Sequence, residues 1–496
     1  MREEGRLPGL GLLATGLALG ALADLTLRVG PWGLNACVVG AAVLAAMLTL
    51  QGRQGVWPGI ASASCTAAIA AAAGGFLWRD AVVLKVLDGV VLASALVLLS
   101  GERQSRTAVR TLTGYLVRLL ACALHAVYGP PAIVACDVRW HEVRFGTFLS
   151  FLFALVRGLM LAAPVLLVFG LLLTSADAIF AARLAAFLDI DLAALVGHLA
   201  GTFVCAWVVA GLLRAAVRQG AEGGELPPRP GWIGLGLVEL TVVLGLLDLL
   251  FAGFVWVQLR YLFGGITWVQ TTAGLSYAEY ARHGFFELVG VTALVLPLLL
   301  AAHWLLAPAR ARTTLVFAGL AGVQVVLVLV MLASALERMR LYQQEYGLTQ
   351  LRFYTTAFML WIGLLLVWLL VTVLPGRRAA FAQGALVSAV AVVVALHAVD
   401  PEGWILATNR AHPRGLDVEY ARGLGADAVP GLLAELPRLE GDSRRRVAED
   451  LLYRYATPPA ADWRRWSFPQ ARARELVLEV EPLLREAAAL PQQASR

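Results

Sequence analysis

Charge is scarce in this chain. Asp, Glu, Lys and Arg make up 15% of its 496 residues, hydrophobic residues make up 59%, and the mean hydropathy is +0.74. A soluble domain carries about 25% charged residues, so an ordinary soluble fold is excluded. Short alternating segments are also missing, which excludes an outer-membrane barrel. Lysine occurs once, as Lys85. The other basic residues are arginine, a skew that reflects a GC-rich bacterial genome rather than a chemistry. The five cysteines (Cys37, Cys65, Cys122, Cys136, Cys205) are scattered, without CxxC spacing. They read as small apolar core residues, not as a disulfide framework or a thiolate metal site. No P-loop, HExxH, GxSxG or kinase signature occurs, so there is no evident ATP drive and no common hydrolase motif. The histidines lack ligand spacing, and no basic patch with interleaved aromatics points to nucleic acid. No cofactor or metal is expected.

What the chain has is long apolar runs. About 20 apolar residues cover about 30 Å of hydrocarbon as a helix. About eleven such spans are read, at 8–28, 31–50, 57–77, 81–100, 150–173, 194–213, 232–257, 285–306, 313–336, 354–375 and 380–398. The expected fold class is all-α: a polytopic helical membrane protein with a small helical C-terminal domain outside the bilayer. Residues 1–100 form a four-span region, 101–149 a connection, 150–399 a seven-span core and 400–496 the polar domain. In the connection, "YLVRLLACALHAVYGPPAIVAC" reads as a cytoplasmic helix lying in the interface, because Arg118 interrupts it and Pro130-Pro131 stop it. The first run ends in "ALAD", which resembles a signal-peptidase site. Glu3 and Glu4 spoil a positive leader, so it reads as a retained helix.

Orientation follows from loop arginines. Alternate loops carry Arg53, then Arg103, Arg106 and Arg110, then Arg214 and Arg218, then Arg310 and Arg312, then Arg377 and Arg378. By the positive-inside rule that set is cytoplasmic. The expectation is a multi-pass protein of the inner cell membrane, N-terminus inside and residues 400–496 outside.

Four polar segments interrupt the apolar pattern. In "YGLTQLRFYTTAF", Gly347 fits a left-handed helix stop, Leu348 its apolar contact, and Thr349 the cap of the next helix. Arg352 is unexplained by that pattern, since a cation in a first turn opposes the helix dipole. It is expected to pair with a carboxylate, Glu287 first and Asp177 second. "SYAEYARHGFFELVG" puts Tyr280, His283 and Glu287 on one helical face. "LLLTSADAIF" holds Asp177, which caps a helix or joins a polar site. "HAVDPEGWILATNR" opens a turn at Asp400-Pro401 and reads as a linker or as part of the same site. All four loops fall on the outer side, so Asp177, Arg282, Glu287, Arg352 and Asp400 form a candidate outer-face cluster. Within the spans, Lys85 and Asp88 lie at i, i+3 and can neutralise each other. Glu239 and Asp248 lie on opposite faces of one helix, and either can line a path for protons or cations.

Several segments together, "SADAIF", "YAEYARHGFFELV", "YGLTQLRFYTTAF" with "GRRAAFAQGAL", and "DVEYARGLGADAVPGL" with "DWRRWSFPQARA", resemble the bacterial membrane proteins grouped as domain of unknown function 4173, with its sister group 4153. The resemblance runs from about Arg144 to Ala473 and implies a multi-pass membrane protein without an assigned activity. Three functions stay open. The first is a non-enzymatic envelope protein that recognises a partner, such as another envelope protein, or a signal at its outer face. The second is a secondary transporter using Glu239 or Asp248. The third is an enzyme acting on a lipid-linked substrate through Asp177 and Glu287. The lipid bilayer is the one partner common to all three.

Overall fold

The computed structural model describes residues 9–28, 30–53, 60–100, 112–138, 192–218, 237–263, 285–305, 311–456 and 462–489. Among them there is no strand. Eleven longer helices come first: α1 (Gly9–Leu27), α2 (Leu34–Arg53), α3 (Ile60–Trp78), α4 (Val82–Ser100), α5 (Leu112–Ala132), α6 (Leu192–Arg218), α7 (Leu237–Phe263), α8 (Phe285–Leu305), α9 (Ala311–Tyr346), α10 (Gln350–Thr372) and α11 (Arg378–Val399). Shorter helices follow: α12 (Pro401–Arg410), α13 (Val418–Arg422), α14 (Val429–Glu435), α15 (Gly441–Leu451), α16 (Phe468–Glu479) and α17 (Glu481–Ala488). Ten described segments are long and apolar enough to cross a membrane, including Leu119–Asp137; α3 contributes a shorter apolar stretch, Ala63–Trp78. Helices are the required answer, since hydrocarbon offers no partner to an unpaired peptide group. Outward leucines such as Leu246, Leu249 and Leu250 stay exposed, as lipid-facing positions should. The expected span at 150–173 lies outside the described residues.

The chain divides into two compact units. The first holds residues 1–30, 42–57 and 121–218. Here α1 packs along α6, and the close approach rests on small residues, Gly16 and Gly20 facing Ala210 and Ala206. Asp24 is buried in this seam and paired with Arg28 at 2.9 Å and His198 at 2.6 Å.

The proline pair does not stop α5. The helix runs through Pro130 and Pro131 into a π-turn, Ile133–Asp137. Proline removes the N–H that would have bonded the carbonyl four residues earlier. For Pro131 that carbonyl belongs to Val127, and the Trp207 indole Nε1 donates to it at 2.9 Å. One of the two acceptors freed by the proline pair is thus satisfied from outside the helix.

The second unit holds residues 31–41, 58–120 and 219–496. Its main core is built by α7 to α11 around Phe317, Met359, Leu366 and Phe381, all at most 2% exposed. The α3–α4 hairpin packs on α11. The C-terminal helices enclose two small cores of their own, one around Val447, Ala473 and Val477 and one around Ile405, Leu406 and Leu432. Leu348, from the loop before α10, belongs to the second of these.

Candidate functional site

The α3–α4 hairpin turns within three residues, Arg79, Asp80 and Ala81. The turn puts a cation at the C-terminal end of α3 and an anion just before α4, both favourable to the helix dipoles. The α11–α12 junction is also tight. Asp400 has φ +56°, the only non-glycine residue with positive φ among the described residues, a conformation Asp tolerates better than most side chains. It ends α11 and caps α12, accepting from Gly403 N at 3.2 Å, and Pro401 begins the new helix.

These two turns meet. Arg79 Nη1 lies 3.2 Å from both Asp400 Oδ2 and Asp427 Oδ1, and Arg79 Nε donates to the His397 carbonyl at 2.8 Å. Asp427 Oδ2 accepts from the Asp80 backbone N–H at 2.6 Å. The Asp80 carboxylate pairs with Lys85 and accepts from Gln470 Nε2 at 2.6 Å. One guanidinium, one ammonium and three carboxylates thus join α3, α4, α11 and α16.

A second clamp lies beside the first. Gly347 has φ +74° and ends α9, and a Cβ there would lie 2.8 Å from Asn409 Oδ1. Asn409 uses both ends of its amide on Leu348: it accepts from Leu348 N at 2.6 Å and donates to Leu348 O at 2.7 Å. Tyr420 Oη accepts from Gln350 N at 2.7 Å, answering one of the orphan N–H groups of α10. Glu402, 2% exposed, accepts from Gln350 Nε2 at 2.7 Å and from Gly425 N at 2.8 Å. Burial, then the charge of Asp427, pushes its carboxyl up to about 7, with the Gly425 N–H opposing. Burial also raises Asp427 above the usual carboxylate range, against the Asp80 N–H and Arg79.

Several expected site residues change partners. Lys85 and Asp88 do not form a hydrogen-bonded pair. The Lys85 ammonium is taken by Asp80, and Asp88 Oδ2 faces His397 Nε2 at 3.1 Å. His397 Nδ1 lies 2.9 Å from the Val393 carbonyl and must donate there, so one proton is held between Nε2 and Asp88. That pair walls an apolar cavity of about 290 Å³ between α3, α4 and α11. Arg352 does not pair with Glu287, which is exposed in the first turn of α8. Its Nη1 donates to the carbonyls of Gly347 at 2.5 Å and Tyr346 at 3.1 Å, and its guanidinium lies 4.2 Å from the Tyr342 ring centroid. The negative charge that offsets its position is the C-terminal end of α9, whose carbonyls lack helical donors.

Asp400 does join the cluster. Glu239 is exposed and Asp248 is buried on α7, in keeping with opposite faces. Asp177 and Arg282 lie outside the described residues. Arg79, Asp80, Glu402, Asn409, Asp427 and Gln470 were not singled out by sequence. The signal for two of them was "WRDA": adjacent opposite charges in a loop too short to leave the membrane surface.

A family model, Domain of unknown function (DUF4153), matches residues 66–435, which is most of the chain. The chain belongs to the DUF4153 family. The DUF4153 match begins inside α3 and ends in α14, so it takes in the α3–α4 hairpin and every cluster residue except Gln470. No curated protein and no solved structure matches the chain.

Proposed function

We propose that this integral membrane protein is a non-enzymatic envelope protein whose C-terminal domain, on the outer face of the inner membrane, recognises a partner or a signal. One observation carries the reading: the ionic cluster is spent on holding the domain to the span ends. Arg79, Lys85, Asp80, Asp400 and Asp427 all answer one another or backbone groups, which suits a fixed platform better than a reaction centre. The domain and the spans of the second unit then act together, and the surface away from the junction is what the domain has to offer. A photo-reactive side chain at Tyr453 or Leu483, 80% and 58% exposed, is expected to give a discrete adduct in intact cells. A reporter active only outside the cytoplasm, fused after Arg496, is expected to be active. No adduct, or activity only from a cytoplasmic reporter, would count against the reading.

A second reading, proton- or cation-coupled transport, draws support from α7. Asp248 is 8% exposed, and among the described residues neither carboxylate oxygen has a hydrogen-bond partner. Gln258 on α7 and Gln324 on α9 are buried and equally unanswered. A carboxyl in such a place holds a proton or an ion. Loss of ion-driven uptake in vesicles with Asp248→Asn would select this reading. The enzyme reading gains no such support, since Asp177 is outside the described residues and Glu287 is exposed.

A further inference from the structure

The segment "DWRRWSFP", 462–469, turns three aromatic side chains outward. Trp463, Trp466 and Phe468 are 54%, 40% and 60% exposed. The rings of Trp466 and Phe468 stand edge to face, 4.8 Å apart. Arg465, between Trp463 and Trp466 in the chain, is exposed as well, whereas Arg464 is held by Asp462 at 2.7 Å. Clustered exposed aromatics mark a surface that meets something other than water.

The position of the segment says what that is. Leu34 N donates to the Trp466 carbonyl at 2.9 Å, so this segment answers an orphan N–H at the start of α2. The approach is closest at Gly33, where a Cβ would lie 2.5 Å from Trp466 O. Only glycine lets the segment sit this near the helix. Trp32, 43% exposed, stands beside it with its ring edge-on to Phe76 at 6.3 Å. Leu34–Arg53 is long and apolar enough to cross the membrane, so the segment lies at the level where that helix enters hydrocarbon. Indole rings favour this level, and a guanidinium there meets lipid phosphate with matched geometry.

We propose that residues 463–468 are a lipid-facing anchor. Trp463, Trp466 and Phe468 enter the headgroup layer and Arg465 takes a lipid phosphate. This goes beyond the proposed recognition role, because it reserves one face of the C-terminal domain for lipid and leaves the rest for a partner. A protein partner seated on the same aromatics is the competing occupant.

The test uses the full chain in nanodiscs of equimolar phosphatidylcholine and phosphatidylglycerol. A nitroxide is placed at Trp463→Cys or Phe468→Cys in a background without reactive native cysteines. Its collisions with oxygen and with a water-soluble nickel chelate are calibrated against lipids labelled at the headgroup and along the acyl chain. The expected depth is at the phosphate or about 5–10 Å below it, with nickel collisions several-fold below those of the headgroup label. Labels that meet nickel as freely as a label in bulk water overturn the anchor and leave the aromatics to a protein partner. Should a labelled variant fail to fold, the conservative Trp463→Phe serves instead. Lipids brominated near the carbonyl are expected to quench a smaller share of its fluorescence than of the wild type, and no difference overturns the proposal.

Discussion

Within the C-terminal domain many arginine pairs are local and in water. Arg446 pairs with Asp442, Arg472 with Glu475 and Arg485 with Glu481, each three or four residues apart on one helix. At the junction arginine is used across the chain and out of water. Arg79 reaches Asp427, 348 residues later, and Gln470 reaches back to Asp80 across 390 residues. The charges are of the same kind, but their consequences differ. Exposed pairs steady single helices by little, whereas a buried group that loses its partner leaves a stranded charge. The comparison teaches that the domain is not hung on a tether after the last span. It is fastened at several points to turns that a linear reading treats as loops.

The comparison is broken most severely at Arg79. Arg79→Ala leaves Asp427 and Asp400 without their cation; Asp427 is 9% exposed. A loss of about 3–5 kcal/mol is expected, read as a lower melting midpoint in detergent and faster proteolysis between α11 and α12. An unchanged midpoint would place the fastening elsewhere.

A second break uses pH. The Glu402 carboxyl, pushed up to about 7 by burial and then by Asp427, binds its proton more tightly folded than unfolded. Folding is therefore favoured less as pH rises from about 4.5 to about 7, and the loss is complete above that window. Glu402→Gln is expected to flatten this part of the profile of melting midpoint against pH, while leaving one acceptor oxygen for two donors, Gly425 N and Gln350 Nε2. A profile as steep as the wild type would remove Glu402 as its source.

A smaller effect is expected at Arg352→Ala, about 1–2 kcal/mol, from two carbonyl contacts and a ring contact. Arg352→Lys should restore part of it, since an ammonium reaches fewer of these groups. The smallest belongs to the wet pairs: Arg472→Ala should change stability by no more than about 0.5 kcal/mol. A loss there as large as at Arg79 would erase the contrast.

Periodicity and span length made the helices legible, because each is a local property. Gly347 and Thr349 were legible for the same reason: the stop and the cap are written within a few residues, and the structure shows φ +74° at one and a bond from Arg352 N at 3.4 Å to the other. Partners were not legible. Lys85 has Asp88 three residues away, yet the hairpin turn brings Asp80 to it instead. Arg352 needed negative charge, and the sequence offered only carboxylates, whereas helix-end carbonyls carry no letter of their own. Asn409 is one of two asparagines in the chain. Such rarity in a polar residue was a usable sign, but it did not say that the backbone of Leu348 was its target.

The account rests on the dry junction between Arg79 and Asp427. Its most direct test is a double-mutant cycle on thermal stability in detergent, with Arg79→Ala, Asp427→Ala and both together. Each single change should lower stability, and the double change should lose little more than the worse single, a coupling of about 1–3 kcal/mol. Losses that add to within about 0.5 kcal/mol would show that the two side chains, 3.2 Å apart, do not hold the domain to the membrane-spanning helices.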